Sequence, residues 1–410
     1  MKALVARAWL LLPVGLAGIL LAAVLLSTAF RERGRVLDLS FSGTGHSGVG
    51  SPTTPEATQR SAGQTTAWID PLDPPSLEQQ IEYETGWLLA CQLPDGAIAQ
   101  TPIGDRVVPY FGNIAAATIA DIQPERARRY IAWYLAHMNR PDKFGMSGTI
   151  YDYHLTDDGL TPTYSYDSAD GYAATFLSLV ARYLTVSGDK DFVSANLDAI
   201  DLAAKVLLQL QDNDGLVRVS PDSSTKYLMD NCEAFRGLKD WAEVLSSLGR
   251  TQDALRCSEA AERIRQGIGQ VLYSPSIERY AHSLWWFGRR FPNPAKWYPD
   301  AVSQLDVIAY GVLDPKDPKA VKVWQDFNSA FPNWDQGLKD DGFPWAEVAL
   351  TAVMMGDGDK AERFMDWASS YLAKHQRPYP WYVLESASLV GLYRILKGPA
   401  TPSPSTAAQP

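Results

Sequence analysis

The sequence predicts an all-α fold: an α/α toroid of six helical hairpins, with an inner ring of helices inside an outer one and a single hydrophobic helix ahead of it. Three observations predict it. From Trp68 onward the apolar residues recur at helical spacing, and strands are hard to find. Short and long connections alternate along the chain. The helices fall into two kinds, one apolar on nearly every side and one with a wet face. An open superhelix of hairpins shares the first feature, but it would usually show a stricter sequence repeat.

In chain order the periodicity predicts helices at about 75–91, 111–121, 124–139, 167–187, 189–211, 229–248, 252–272, 299–313, 317–330, 342–355, 359–375 and 382–396. The second and third are separated only by "DIQPE", the fourth and fifth by "VSGDKD", and the sixth and seventh by "LGRTQD". "LDPKDP" and "GDGDKA" separate the last two such pairs. Each is a stop followed by a start: Gly188 then Asp189, or Asp317 as N-cap with Pro318 at the first helical position. The other connections, 92–110, 140–166, 212–228, 273–298, 331–341 and 376–381, are mostly longer, and several carry aromatics, Gly and Pro. Antiparallel helices joined this way put the short turns at one end and the long loops at the other. Helix 359–375 sets Ala361, Phe364, Met365, Ala368, Tyr371 and Leu372 on one stripe, which makes it an outer helix. Helix 342–355, "GFPWAEVALTAVMM", is apolar nearly all round and requires burial on every side. Helices 167–187, 299–313 and 382–396 resemble it.

The chain has 410 residues, 46% of them hydrophobic, enough for a large core. Its net charge of −10, with no basic run outside the N-terminal flank, argues against a nucleic-acid partner. Residues 8–30 carry no charge and are long enough to span a bilayer. Ser27-Thr28-Ala29 resembles a cleavage site, so segment 1–35 is either a membrane anchor or a signal segment. The Gly-, Ser- and Thr-rich stretch that follows, within 36–66, reads as a flexible tether. The tail 399–410 reads as disordered, leaving 67–398 as the folded domain. The main domain is therefore expected outside the cytoplasm, tethered to the membrane or secreted. Cys91, Cys232 and Cys257 are no disulfide framework, and they fall in helical patterns that suit buried thiols. The five histidines show no ligand spacing with them, so neither metal nor cofactor is expected.

The long-loop end gathers acids at the starts of apolar helices. Asp167 and Asp170 open "YDSADGYAATFL", and Asp230 and Glu233 repeat the spacing in "MDNCEAFRGL". Asp300 and Gln304 sit in "WYPDAVSQL", Asp340, Asp341 and Glu347 in "KDDGFPWAE", Glu385 in "PWYVLES", and Asp95 in the first long loop. Any one of these serves readily as a helix cap. Together they make a basin of mutually repelling carboxylates, and such places raise some carboxyl pKa values while leaving others ionised. The tryptophans at 285, 286, 297, 334, 345 and 381 mostly lie in or beside loops, where flat rings suit the apolar face of a sugar. Two carboxylates in such a basin suit glycoside hydrolysis. There is no Ser-His-Asp motif, phosphate loop or metal cluster to suggest another chemistry.

From Trp68 to Lys397 the chain resembles the six-hairpin glycosidase superfamily, through the hairpin rhythm and through "YDSADGYAATFL" and "DNCEAFRGL". The resemblance implies a hydrolase that inverts configuration, with a carbohydrate substrate and no cofactor. It implies Glu233 as general acid, beside apolar Ala234 and Phe235. It implies Asp170 as base, with Asp167 orienting it or holding a sugar hydroxyl, and Asp95 as the rival member of the pair. Tyr110, Asn113, Tyr166, Asp300, Gln304, Trp285, Trp286, Trp297, Trp334 and Trp381 are expected sugar contacts. The negative charge favours neutral glucan-like or exopolysaccharide chains over polyanions. Rival readings are a carbohydrate-binding toroid without turnover, an epimerase or lyase using His154 as base, and a protein-binding helical scaffold.

Overall fold

The computed structural model describes residues 76–397, apart from Asp340, Gln376, Pro378 and Tyr379. The expected hydrophobic N-terminal helix, the tether and the tail lie outside the described residues. Among the described residues no helix is long and apolar enough to cross a membrane.

The described chain is mostly helical. Its helices are α1 Leu77–Ala90, α2 Pro109–Ala120, α3 Pro124–His137, α4 Ala169–Ser187, α5 Lys190–Ala195, α6 Leu197–Leu210, α7 Leu228–Ser247, α8 Thr251–Gly267, α9 Val302–Ala309, α10 Pro318–Ala330, α11 Ala346–Met354, α12 Gly358–His375 and α13 Val383–Lys397. The punctuation works as the sequence suggests. Gly188 is left-handed (φ 68°) and its N–H donates to Leu184 O, closing α4. Asp189 then caps α5 through the Phe192 amide, and Asp317 caps α10 through the Lys319 amide, ahead of Pro318. One expected helix, 189–211, is broken in two. Asn196 Nδ2 takes the Phe192 carbonyl at 2.8 Å, a local bond that competes with helix continuation.

Six helices pack in cyclic order: α2 on α4, α4 on α7, α7 on α9, α9 on α11, α11 on α13, and α13 back on α2. The remaining helices lie outside them, with α3 against α2 and α4, α6 against α4 and α7, and α12 against α11, α13 and α1. At the α4–α7 crossing Gly237 allows the backbones to meet, since a Cβ there would stand 2.5 Å from Ala174 O. The last hairpin is tied to the first by Glu84, which is fully buried. Its two oxygens accept from Arg377 Nε and Trp381 Nε1, each at 2.7 Å.

The long connections carry short strands that the sequence reading did not anticipate: β1 Arg106–Val107, β2 Tyr153–Thr156, β3 Gly159–Pro162, β4 Lys226–Tyr227, β5 Tyr273–Ser274, β6 Arg279–Tyr280, β7 Ser283–Trp285 and β8 Gly288–Arg290. They pair antiparallel across neighbouring loops, Arg106 opposite His154 and Lys226 opposite Leu284. Adjacent loops are thereby stitched into a collar at the mouth of the inner helices. Runs of two to four residues are too short to show alternation in sequence.

The first and third long loops also begin with the same turn. Leu93 N donates to Ala97 O and Gly96 N to Leu93 O; Asp212 N donates to Leu216 O and Gly215 N to Asp212 O. In each, the preceding glutamine locks the turn onto the next outer helix. Gln92 Nε2 donates to Arg126 O and its Oε1 accepts from Arg129; Gln211 Nε2 donates to Ala260 O and its Oε1 accepts from Arg263.

Candidate active site

The N-terminal ends of α2, α4, α7 and α11, together with the C-terminal half of α9, bring one set of polar side chains into the middle of the ring. Glu233 on α7 is its hub. Its Oε1 accepts from Tyr110 Oη on α2 at 2.5 Å and from Tyr310 Oη, just after α9, at 3.2 Å. Its Oε2 lies against the start of α4, where a Cβ on Gly171 would stand 3.0 Å away. Asp170, one residue before, is therefore beside it on the neighbouring helix. Asp170 Oδ1 accepts the Gly171 amide at 2.9 Å, while Oδ2 has no hydrogen-bond partner.

The electrostatics follow from this crowding. Burial, reinforced by the charges of Asp230 and Glu233, pushes the Asp170 carboxyl well above the usual carboxylate range. Asp306 on α9 is raised likewise, by burial and then by Glu233, Glu347 and Asp230, and its Oδ2 also lacks a partner. Burial raises Glu347 on α11 to about 7. Tyr110 and Tyr310 are held protonated by burial and by the Glu233 charge beside them, so both remain donors to it. Donated hydrogen bonds favour the ionised form of the acceptor. Asp170, Asp230 and Glu233 are almost wholly buried, whereas Tyr110, Tyr310, Asp306 and Glu347 are half-buried and form the open lining.

Of the residues expected from the sequence, Glu233, Asp170 and Tyr110 come together here. The others do not. Asp95 is exposed, and its Oδ1 accepts the Ala97 amide inside the first turn, as Asp214 Oδ1 accepts the Leu216 amide in the third. Its recurrence marks a turn former. Asp167 precedes α4 rather than opening it, is exposed, and acts on Asp152 and Tyr172. The expected shared face with Asp170 is absent because the helix begins two residues later. Asn113 is fully buried between Tyr172 O, Thr175 and Tyr130. Asp300 holds the Asn293 amide, and Gln304 exchanges both bonds with the Tyr280 backbone. Tyr166 donates to Asp142 and stacks on Tyr151.

The tryptophans divide similarly. Trp381 is spent on Glu84, and Trp334 donates to Asn328 within the α10–α12 core. Trp297 is buried among Phe327, Phe331 and Trp345, and Trp285 beneath the Arg290 guanidinium, 4.1 Å from its ring centre. Trp286 alone of these is open, 80% exposed at the β7–β8 turn. His154 is exposed on β2, opposite Arg106, and is not among the groups that act on the acids of the basin. Glu385, raised to about 8 by burial, accepts the Trp345 and Ala346 amides and so caps α11. The three cysteines are buried and free.

Asp306 and Tyr310 were missed. Asp306 is a lone acid inside the apolar run "AVSQLDVIAY", and a buried acid with no nearby loop was the available signal. Two surface clefts lie elsewhere, one beside Arg128 and Phe192, the other between Gln304 and Phe327. The second is lined by Glu278, Asp300 and Asp326, but Lys322 holds Asp326, and Lys296 lies 3.5 Å from Asp300.

No family model matches the chain, and no curated protein matches it in sequence. Solved structures do match. A wild-type glycosidase structure superposes with a TM-score of 0.55 at 15% identity, covering 78% of this chain and 96% of that one. A glycosidase in complex with glucose gives the same values. A rhamnosidase from Klebsiella oxytoca with rhamnose bound gives 0.56 at 11% identity, over 78% of this chain and 64% of that one. The chain shares its fold with these glycosidase structures. At such identities the fold is what is shared, and the chemistry of this chain rests on its own residues.

Proposed function

We propose that the chain is an extracytoplasmic glycoside hydrolase, its domain 67–398 a closed α/α toroid, cleaving an oligo- or polysaccharide by a two-carboxylate mechanism with inversion. Segment 1–35 serves as anchor or signal, 36–66 as tether and 399–410 as a free tail. The observation that carries the chemistry is the pairing of Glu233 and Glu347 around the same two tyrosines. Glu233 accepts hydrogen bonds from Tyr110 and Tyr310, and the charge of Glu347 on α11 raises the same two phenols.

The environments of the two carboxyls differ in the direction the reaction needs. Glu347 holds its proton near neutral pH and lines the open side, which suits protonation of the leaving oxygen. Glu233 accepts two phenolic hydrogen bonds, which favour the ionised form and suit activation of water. This revises the roles expected from sequence. Burial and its acidic neighbours raise Asp170, which suits it to positioning Glu233 from the neighbouring helix better than to acting as base. Tyr110 and Tyr310 fix the Glu233 carboxylate and reach the sugar edge.

The test is a glycan panel with reducing-end detection, followed by aryl glycosides of graded leaving-group acidity. Glu347→Gln should lose activity on poor leaving groups and recover it on good ones, which need no proton. Glu233→Gln should lose activity on all of them. Proton NMR of the first-formed anomer reads inversion. A non-catalytic sugar-binding toroid is the second reading, favoured by the near-complete burial of Glu233 and Asp170. A wild type that binds a glycan and releases nothing from any member of the panel establishes that reading.

A further inference from the structure

The mechanism uses one proton and one charge, yet the basin holds more acid than that. Asp170 and Asp306 are surplus, and each leaves Oδ2 buried without a hydrogen-bond partner. Asp170 is fully buried as a residue. A buried polar atom with no partner costs free energy, and it persists where a ligand completes it. The charges acting on Asp306 are all carboxylates: Glu233, Glu347 and Asp230. Elsewhere buried acids are completed, Asp142 and Glu385 by amides and hydroxyls and two others by cations. Glu84 has Arg377, and buried Asp335 has Arg363 at 2.7 Å. Among the described residues no group of His, Cys, Asp and Glu is arranged to hold a metal ion.

We propose that the sugar this basin takes carries a free amine, with Asp306 as the counter-ion of its ammonium and Asp170 behind it. The proposal rests on the hydrolase site described above and names its substrate class: a glycan containing hexosamine that is not acetylated. An ammonium offers three donors and a full charge to the orphaned oxygens. A hydroxyl offers one donor and no charge. An acetamide replaces the charge with a methyl group, which acids repel. The expected neutral glucan is therefore the weaker candidate.

The full chain is titrated calorimetrically with glucosamine, glucose and N-acetylglucosamine, and with the three galacto counterparts. These series differ only at one carbon and need no knowledge of linkage. The amine is expected to bind about 10- to 100-fold tighter than the hydroxyl form in at least one series. Asp306→Asn, checked for folding by circular dichroism, should erase that preference, bringing the amine and hydroxyl forms to within a few-fold of each other. Equal binding across a series, preference for the acetamide, or no binding of either amine overturns the proposal. Because the wild-type comparison stands alone, a variant that fails to fold does not blunt the test. Cleavage of a neutral glycan without amine preference removes this inference and leaves the hydrolase standing. Amine preference without cleavage of any deacetylated oligosaccharide does the reverse.

Discussion

Two of the places where this molecule buries carboxylates resolve the cost in opposite ways. Glu84 gives one oxygen to Arg377 and the other to Trp381, each at 2.7 Å. It is fully satisfied, and it closes the ring by joining the first helix to the last connection. The basin around Glu233 leaves Asp170 Oδ2 and Asp306 Oδ2 unpaired and pushes both carboxyls up. The first arrangement serves stability. The second spends stability for reactivity, as sites commonly do. Burial alone does not distinguish them, because Asp170 is as fully hidden as Glu84. Partnership does.

The largest effect that probes this contrast is on turnover. Glu347→Gln should lower kcat on unactivated substrates by about 10²–10⁴-fold. The same substitution should leave the folded state as stable as before, or more so, because it removes a group that resists ionising. A variant that lost activity only in proportion to its loss of folded protein would put Glu347 with Glu84, as a structural acid.

Next comes the closure. Glu84→Ala leaves the Arg377 guanidinium buried without its partner and should cost about 3–5 kcal/mol of unfolding free energy, measured by urea denaturation. Asp306→Asn, which deletes an acid among acids, should change stability by under about 1 kcal/mol or raise it. If the two substitutions destabilised equally, the distinction between matched and unmatched acids would fail.

The pH dependence is the third handle. Glu347 is raised from 4.5 to about 7 by burial. Its folded form therefore binds a proton that the unfolded chain releases between those values. The stabilisation is complete below pH ~4.5 and is lost as pH rises through 7, where stability levels off. Subtracting the Glu347→Gln profile from wild type isolates it, and the difference should fall by at most about 3 kcal/mol across that window. A flat difference would mean that water reaches the carboxyl.

How much of this was legible beforehand depended on the kind of signal. The helices were, because 3.6-residue periodicity over ten or more residues is a repeated measurement of one thing. So was the placement of Asp170 and Glu233 towards the starts of neighbouring inner helices, because an acid set among buried apolar residues contradicts its surroundings. Asp306 obeys the same logic five residues into its run, and it was passed over because attention stayed on loops. The tryptophans were not legible. A ring in a loop looks the same whether it faces a sugar or plugs a collar, and the strands that form the collar are too short to read. Only pairing across chain-distant loops decides that Trp381 meets Glu84 and that Trp286 meets solvent.

The smallest effect sharpens the comparison most. Asp95 was expected to rival Asp170 because it lies in the first long loop. Its carboxylate accepts the Ala97 amide, and Asp214 repeats that bond in the third loop. An asparagine carbonyl accepts the same bond. Asp95→Asn should therefore leave kcat/KM within about twofold and stability within about 0.5 kcal/mol, like an ordinary surface change. Asp214→Asn carries the added loss of two charge-assisted contacts from Lys226 Nζ, at 2.8 and 2.7 Å, and should cost more stability with no loss of turnover. The pair separates a turn acid from a reacting one without touching the basin. If Asp95→Asn instead cut turnover as deeply as Glu347→Gln, the first loop would have to reach the sugar, and the basin as drawn here would be incomplete.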